Sequence, residues 1–146
     1  MGNNQDLHAI AEQALADLRE VSPQVHSAVL LDRSGSLLAS STDSGDVTEL
    51  TRIAGDIIEA AESARRDLGR EPVTQCEIAT GGGHVFVVTD SQHAVLAATP
   101  RDPTVGLVFY DLKTVLRTLR ESVPGAGAAP SSNGRASKSK RTETEA

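Results

Sequence analysis

The second amphipathic helix of the chain constrains the fold more than any other segment. Its pattern begins near Val47 and ends at about Leu68, before Gly69 and Pro72, which are typical of a helix end. At 100° per residue its apolar positions cover about 140°, against about 100° for a helix that lies on one sheet. Such a helix requires a second packing partner, either another helix of the chain or a second copy of it. The apolar positions are Val47, Leu50, Ile53, Ala54, Ile57, Ile58, Ala61, Ala64 and Leu68.

Helices are also predicted near both ends of the chain. Apolar residues from Leu7 to Val21 recur with the helical period, and Pro23 closes that segment. A third segment with the same period follows Pro103 and runs to Val123.

The segments between the helices have the character of strands. Asp32 to Gly35 forms a four-residue turn between the first two, and glycines 81–83 and residues 90–92 separate the last three. Such short connections join antiparallel neighbours. The order α-β-β-α-β-β-β-α predicts an α+β sandwich with a five-stranded antiparallel sheet and an exposed edge. The strand segments are residues 25–31, 36–41, 73–80, 84–89 and 93–99.

Charge and composition limit the partners and divide the chain in two. The net charge is −6 and only three residues are aromatic, which argues against a nucleic-acid partner. Residues 124–146 contain no Val, Ile, Leu, Met or aromatic side chain, so we expect a disordered tail after a folded domain of residues 1–123. The domain carries 18 acids and 10 bases, and the tail carries 2 acids and 4 bases.

The sequence favours a cytoplasmic location. The single cysteine, Cys76, excludes an intramolecular disulfide. The N-terminus lacks a signal-peptide pattern, and Asp6 stands where N-myristoylation requires Ser or Thr. We therefore expect no stable membrane anchor.

No residue pattern predicts catalysis, a cofactor or a metal. The three glycines before His84 connect strand to strand, whereas phosphate-binding loops lead from a strand into a helix. Cys76 is expected on the apolar face of a strand, as a small core residue. His84 and His93 could face each other across a hairpin, but no cysteine or carboxylate pattern accompanies them. A binding protein fits this chain better than an enzyme.

Three segments resemble the roadblock family, and particularly its bacterial members that regulate small GTPases. Residues 28–35 (AVLLDRSG) resemble the family's first hairpin, and Ala54-Gly55 resembles a stretch of small residues in its second helix. Residues 95–99 (VLAAT) and 105–112 (VGLVFYDL) resemble its last strand and the start of its final helix. Phe109 departs from the pattern, because many bacterial relatives carry Arg there.

The resemblance implies a sheet with the second helix on one face and the first and third helices on the other. It implies a homodimer in which the third strands pair edge to edge and the second helices lie side by side. It also implies a Ras-like small GTPase as partner, with the chain as a non-catalytic regulator or scaffold that could stimulate GTP hydrolysis. The residues expected at the dimer or partner interface are Ile53, Ala54, Ile57, Ile58, Ala61, Val73, Gln75 and Glu77.

Two other functions remain open at this point. A ligand sensor of the PAS or profilin-like kind shares the layering and requires a small-molecule cavity, against which the scarcity of aromatic residues argues. An enzyme that uses His84 is the third hypothesis.

Overall fold

The computed structural model describes residues 2–42 and 47–122, with side chains from residue 6 onward. Its elements follow the predicted order and close to the predicted bounds. They are α1 (Gly2–Val21), β1 (Ser27–Asp32), β2 (Leu37–Thr42), α2 (Val47–Asp67), β3 (Gln75–Thr80), β4 (Gly83–Thr89), β5 (His93–Thr99) and α3 (Val105–Ser122).

The five strands form one antiparallel sheet in the order β2-β1-β5-β4-β3. β5 returns to the centre and pairs with both β1 and β4, so the two hairpins become a single sheet. The sheet therefore has two edges, β2 and β3, where the sequence argument required one. The roadblock-like α+β architecture predicted from the sequence is confirmed.

One face of the sheet is covered by α1 and α3. Side chains from these helices and from the facing strand positions form the larger core. Phe86 and Phe109 meet there edge to face, with ring centroids 5.0 Å apart. Phe109 therefore serves this core from α3. The buried residues are Ala11, Ala14, Leu15, Leu18, Val25, Ala28, Leu30, Leu38, Ala39, Phe86, Val88, Val95, Ala97, Val108, Leu112, Val115, Leu116 and Leu119.

The opposite face is covered by α2. Its core is smaller, with only five buried residues, of which α2 contributes Ala54 alone. The other four come from the sheet: Val29, Leu31, Val87 and Leu96.

Two turns show why their residues are required. Asp32 Oδ1 accepts hydrogen bonds from the backbone N–H groups of Ser34 and Ser36, each 2.9 Å long, and Gly35 has a positive φ of 94°. Burial raises the pKa of Asp32, but the hydrogen bonds from Ser34 and Ser36 outweigh it and hold that pKa below the ordinary value. At Gly83 a Cβ would lie 2.4 Å from the carbonyl oxygen of Thr99, so only glycine fits.

One expectation, the disordered tail at 124–146, lies outside the described residues. Within residues 2–42 and 47–122, none of the helices combines the length and apolar character that crossing a membrane requires.

Candidate self-association surface

The apolar side of α2 is a feature that the fold leaves incompletely covered. The helix packs mainly over β1 and β2. Ala54 is 1 % exposed, because its small side chain lets α2 approach the sheet closely. The other predicted interface residues of the helix, Ile53, Ile57, Ile58 and Ala61, are each half-buried. The apolar arc of α2 is thus wider than its own sheet can cover, as its sequence predicted.

Strand β3 borders this surface and forms an edge of the sheet. It pairs with β4 on one side only, and five of its six residues are exposed. Ile78 is 43 % exposed, and it shares a face with Val85, its partner on β4. An apolar side chain on an unpaired edge, next to an incompletely covered helix, favours association with another chain.

The residues of β3 alternate between the two sides of the sheet, and both of its predicted interface residues, Gln75 and Glu77, lie on the side away from α2. Cys76 and Ile78 lie opposite Val87 and Val85, on the α2 side. Gln75 and Glu77 lie opposite Val88 and Phe86, on the side of α1 and α3. In an edge-to-edge contact Gln75 and Glu77 would therefore contribute backbone groups to the ladder, while their side chains lie away from α2.

Val73 precedes β3 and is held by α2. Its backbone N–H donates to Glu62 Oε2 at 3.1 Å, and its carbonyl accepts a hydrogen bond of 2.6 Å from the Thr89 hydroxyl. Glu62 Oε1 also accepts from Arg65 Nε at 2.6 Å. The Arg65 hydrogen bond, assisted by the Val73 N–H, outweighs burial and lowers the pKa of Glu62. We call this group, Glu62 with Arg65 and Val73, the Glu62 clasp; it fixes where β3 begins.

Cys76 lies beside the Glu62 clasp and packs against the smaller core. Burial raises the pKa of its thiol, and the negative charge of Glu62 raises it further. A thiol in this state is a poor nucleophile at neutral pH. This agrees with the expectation of a small apolar residue at this position.

Glu77 has a partner that the sequence did not predict. Its Oε2 lies 2.6 Å from His84 Nδ1, and the His84 ring stacks on Phe86 with centroids 5.9 Å apart. His84 pairs with Thr99 at the end of β5, whereas His93 begins β5, so the two lie at opposite ends of their hairpin. The expectation that these two histidines could face each other is wrong, because the hairpin register separates them. Among the described residues, no group of three or more His, Cys, Asp or Glu side chains could hold a metal ion.

Charged residues border α2 on its solvent side. Arg52 contacts Glu49 at 2.6 Å and Asp56 at 2.9 Å, one turn away in each direction. These exposed pairs keep that side of the helix polar, and each contributes little stability because water screens the charges. The apolar surface is therefore limited to the half of α2 nearer the sheet.

Three clefts of the structure have volumes of about 140, 210 and 270 Å³, and each opens at the surface. Pockets for small-molecule ligands usually have about 300–1,000 Å³. A sensor function therefore gains no support from these clefts.

Ile78 and the Glu62 clasp are the features of this surface that sequence reasoning missed. Ile78 lies two residues after Cys76 and therefore shares its strand face, but the exposure of Ile78 depends on how far α2 extends over the sheet. In the sequence, Glu62 does not differ from the other acids of its helix. It gains the backbone N–H of Val73 as a partner only because the chain folds back from α2 to β3.

Comparison with known proteins gives the same architecture. The family model for the Roadblock/LC7 domain matches residues 11–99. A comparison with curated protein sequences finds no significant match.

Solved structures are similar in fold at low sequence identity. MglB of Myxococcus xanthus is 14 % identical, with 83 % of this chain and 90 % of that chain covered and a TM-score of 0.66. The gliding protein MglB of Thermus thermophilus is 15 % identical, with 80 % and 90 % covered and a TM-score of 0.70. A Roadblock/LC7 domain from Streptomyces avermitilis is 20 % identical, with 73 % and 91 % covered and a TM-score of 0.66.

Proposed function

Because the chain belongs to the Roadblock/LC7 domain family, we propose that it is a homodimeric regulator or scaffold of a Ras-like small GTPase. It acts by binding, in the cytoplasm, and supplies no catalytic group, cofactor or metal of its own. The observation that carries the proposal is the incompletely covered α2 beside an unpaired β3 edge.

The dimer forms by two contacts on one side of the molecule. The β3 edges of two copies pair antiparallel through the backbone from Gln75 through Glu77 to Ala79. Val73, whose own backbone groups are bonded to Glu62 and Thr89, lies at the border of this contact. The two α2 helices lie side by side, where Ile53, Ile57, Ile58 and Ala61 of one copy meet those of the other. Ala54 lets each helix lie close to its own sheet. This arrangement buries the half-exposed isoleucines and gives the edge backbone its missing partners.

Regulation of the GTPase follows from binding to this dimer. A protein without catalytic groups can stimulate hydrolysis if it binds best to the conformation in which the GTPase's own residues are correctly placed. If it binds active and inactive conformations equally, it is a scaffold and leaves the rate unchanged. Both activation and scaffolding are compatible with a chain that acts through binding surfaces and supplies no catalytic group.

The dimer is tested by the solution mass of the full chain, measured by light scattering. We expect a dimer, and we expect Ile57→Asp or Ile58→Asp to give a monomer, because a buried charge without a partner is unfavourable in the contact. Leu107→Asp is the matched control, since Leu107 is 47 % exposed on α3, away from α2. A wild-type monomer, or equal effects of all three substitutions, would contradict the proposed interface.

The regulatory role is tested with a Ras-like GTPase encoded near this protein. Binding is measured by calorimetry in the GTP-analogue and GDP states, and single-turnover GTP hydrolysis is followed with and without the dimer. Faster hydrolysis identifies an activator, and binding without a rate change identifies a scaffold. A folded dimer that neither binds nor stimulates such a GTPase argues against the proposed function.

A further inference from the structure

A cleft of about 140 Å³ lies between α1 and α3, away from the surface discussed above. Its walls combine apolar side chains with two carboxylates. Leu18, Val21 and Val115 provide the apolar part, and Asp17 and Asp111 provide the carboxylates, with Thr118 toward the end of α3. Val21 is 64 % exposed although it is apolar, so the mouth of the cleft is hydrophobic.

Asp111 is the unusual member of this cleft. Its side chain belongs to a residue only 8 % exposed, and its Oδ2 accepts no hydrogen bond from any described residue. A buried carboxylate oxygen without a donor is destabilising, because it has lost water and gained no partner. Asp111 Oδ2 would therefore be stabilised by a hydrogen-bond donor from outside the described residues.

Two other polar groups of the cleft, on Asp17 and Thr114, have partners. Asp17 Oδ1 accepts from Gln13 at 2.9 Å. The Thr114 hydroxyl donates to the Tyr110 carbonyl and accepts a hydrogen bond of 3.3 Å from Arg117, which brings one positive charge to the rim. Two carboxylates then face one rim cation, which leaves a net negative charge.

This combination fits one long cationic side chain. A lysine or arginine has an apolar stem that packs against Leu18, Val21 and Val115, and a charged head with several N–H donors for Asp111 and Asp17. The volume is suited to one side chain and is below that of ordinary small-molecule pockets.

The chain carries such side chains close by. Residues 124–146 contain Arg135, Lys138, Lys140 and Arg141 and only two acids, whereas residues 1–123 have 18 acids and 10 bases. This segment continues from α3, and Thr118, one turn before the end of α3 at Ser122, lines the cleft. The charges of the two parts are complementary.

The length of the tail also fits. Asp111 lies 11 residues before Ser122, which on a helix is about 16 Å. Arg135 follows Ser122 by 13 residues, for which a flexible chain has a root-mean-square span of about 18–22 Å. A linker whose mean span is close to the required distance gives the highest effective concentration, in the millimolar range.

We propose that the α1–α3 cleft is a binding site for one basic side chain, and that the 135–141 segment of the same chain supplies it. The site is separate from the proposed dimer contact, because it uses neither α2 nor β3. Its occupation couples the tail to the two helices that cover the larger core.

The test is paramagnetic relaxation enhancement in the full-length protein. A nitroxide is attached to Ser139→Cys in a Cys76→Ala background, and amide signals are compared with the diamagnetic state. At a millimolar effective concentration, a contact of millimolar affinity is occupied about half of the time, so we expect signals of Leu18 and Thr118 to fall by about half or more. Amides of β2 and the first turn of α2 should change less.

Variants decide whether the cleft is responsible. Asp111→Asn, Asp17→Asn and a tail with Arg135, Lys138, Lys140 and Arg141 all replaced by Gln should each abolish the localised loss. Asp6→Asn, an exposed acid of α1 outside the cleft, is the matched control and should preserve it. If Asp111→Asn does not fold, the exposed Asp17 still provides the test.

Several results would overturn the proposal. These are no signal loss near the cleft in the wild-type chain, a loss spread evenly over the surface, and a loss that both aspartate variants retain. A further contradicting result can come from a mixture of spin-labelled chains and isotope-labelled chains. If signal loss occurs only between different chains, the tail binds the cleft of another copy and not its own.

Discussion

The two faces of the sheet are covered by helices to different degrees, although the same five strands form both. On the face of α1 and α3, the helices contribute nine buried apolar residues, among them Leu15, Leu112 and Leu119. On the other face, α2 contributes Ala54. Yet α2 has 21 residues and is longer than either α1 or α3. Length and amphipathicity therefore do not measure how much of a helix its own chain buries.

The difference shows how the same residue types serve two purposes. Leucines at helical spacing on α1 and α3 meet two partners, the sheet and each other, and disappear from the surface. Isoleucines at the same spacing on α2 meet the sheet alone and remain only partly buried. The α2 face, where we propose that a second copy binds, thus has the composition of a core and is only partly buried.

The largest expected effect is on the closed face. Leu112→Ala, at a position 0 % exposed, should lower the free energy of unfolding by about 2–5 kcal/mol, because it leaves a cavity that rigid neighbours cannot fill. Urea unfolding measures the change. Leu107→Ala on the exposed side of the same helix should stay within about 0.5 kcal/mol. Similar decreases in unfolding free energy for both variants would contradict the assignment of Leu112 to the core and of Leu107 to the surface.

An intermediate effect is expected on the α2 face, and it should depend on protein concentration. Ile57→Ala should lower the free energy of unfolding by about 1–3 kcal/mol, from lost apolar burial. If α2 is the dimer contact, raising wild-type concentration should raise the urea midpoint, and the variant should show a weaker dependence. If the urea midpoint of the wild-type protein did not depend on protein concentration, α2 would not be a dimer contact.

The Glu62 clasp should contribute less to the free energy of unfolding, and its loss should also change the thiol pKa of Cys76. Glu62→Gln replaces a charged acceptor by a neutral one and should cost about 1–2 kcal/mol of unfolding free energy. The thiol pKa of Cys76 should fall, yet stay above its ordinary value because burial remains. Alkylation rates measured against pH report that pKa. Glu59→Gln, on the exposed side of α2, should change neither property.

The smallest effect is a pH dependence from His93, which is 6 % exposed. Burial lowers its pKa, although Asp90 and Asp32 act in the opposite direction and Arg120 acts with burial. Below the unfolded-state pKa of about 6.5 the unfolded chain binds more protons, so stability is complete above that pH and falls as the pH decreases.

The slope for one proton is at most about 1.4 kcal/mol per pH unit. Asp32 and Glu62 act in a lower range, below their ordinary pKa values of 3.8 and 4.5. Thermal unfolding of wild type and His93→Gln between pH 7.5 and 5.0 separates the contributions. An equal decrease in both proteins would assign the dependence to other groups.

Local patterns predicted most of the fold. The helical period, the turn from Asp32 to Gly35 and the short connections between strands set the element order and nearly all bounds. The split of helices between the faces came from the family resemblance, because a single sequence does not specify which face a helix covers.

The candidate surface was predicted only in part. The width of the α2 apolar arc followed from its sequence, and Ile53, Ile57 and Ile58 are partly buried in the structure. Their place in an interface stays a prediction. The partners of Glu62 and Glu77 depend on residues 11 and 7 positions away, brought near by a loop and a hairpin. Such contacts have no periodic signature, so propensity and spacing do not identify them.

Gly81 and Gly82, which connect β3 to β4, and Gly83, the first residue of β4, differ in which substitutions they tolerate. Gly83 must remain, because the Thr99 carbonyl occupies the space of any side chain. Gly81 and Gly82 have ordinary backbone angles, and a Cβ on either meets no atom closer than 4.0 Å. A short peptide epitope or a dye-acceptor sequence inserted between Gly81 and Gly82 should therefore be tolerated. Positioned at the tip of the β3–β4 hairpin, it would be a reporter for events at the β3 edge without altering the edge itself.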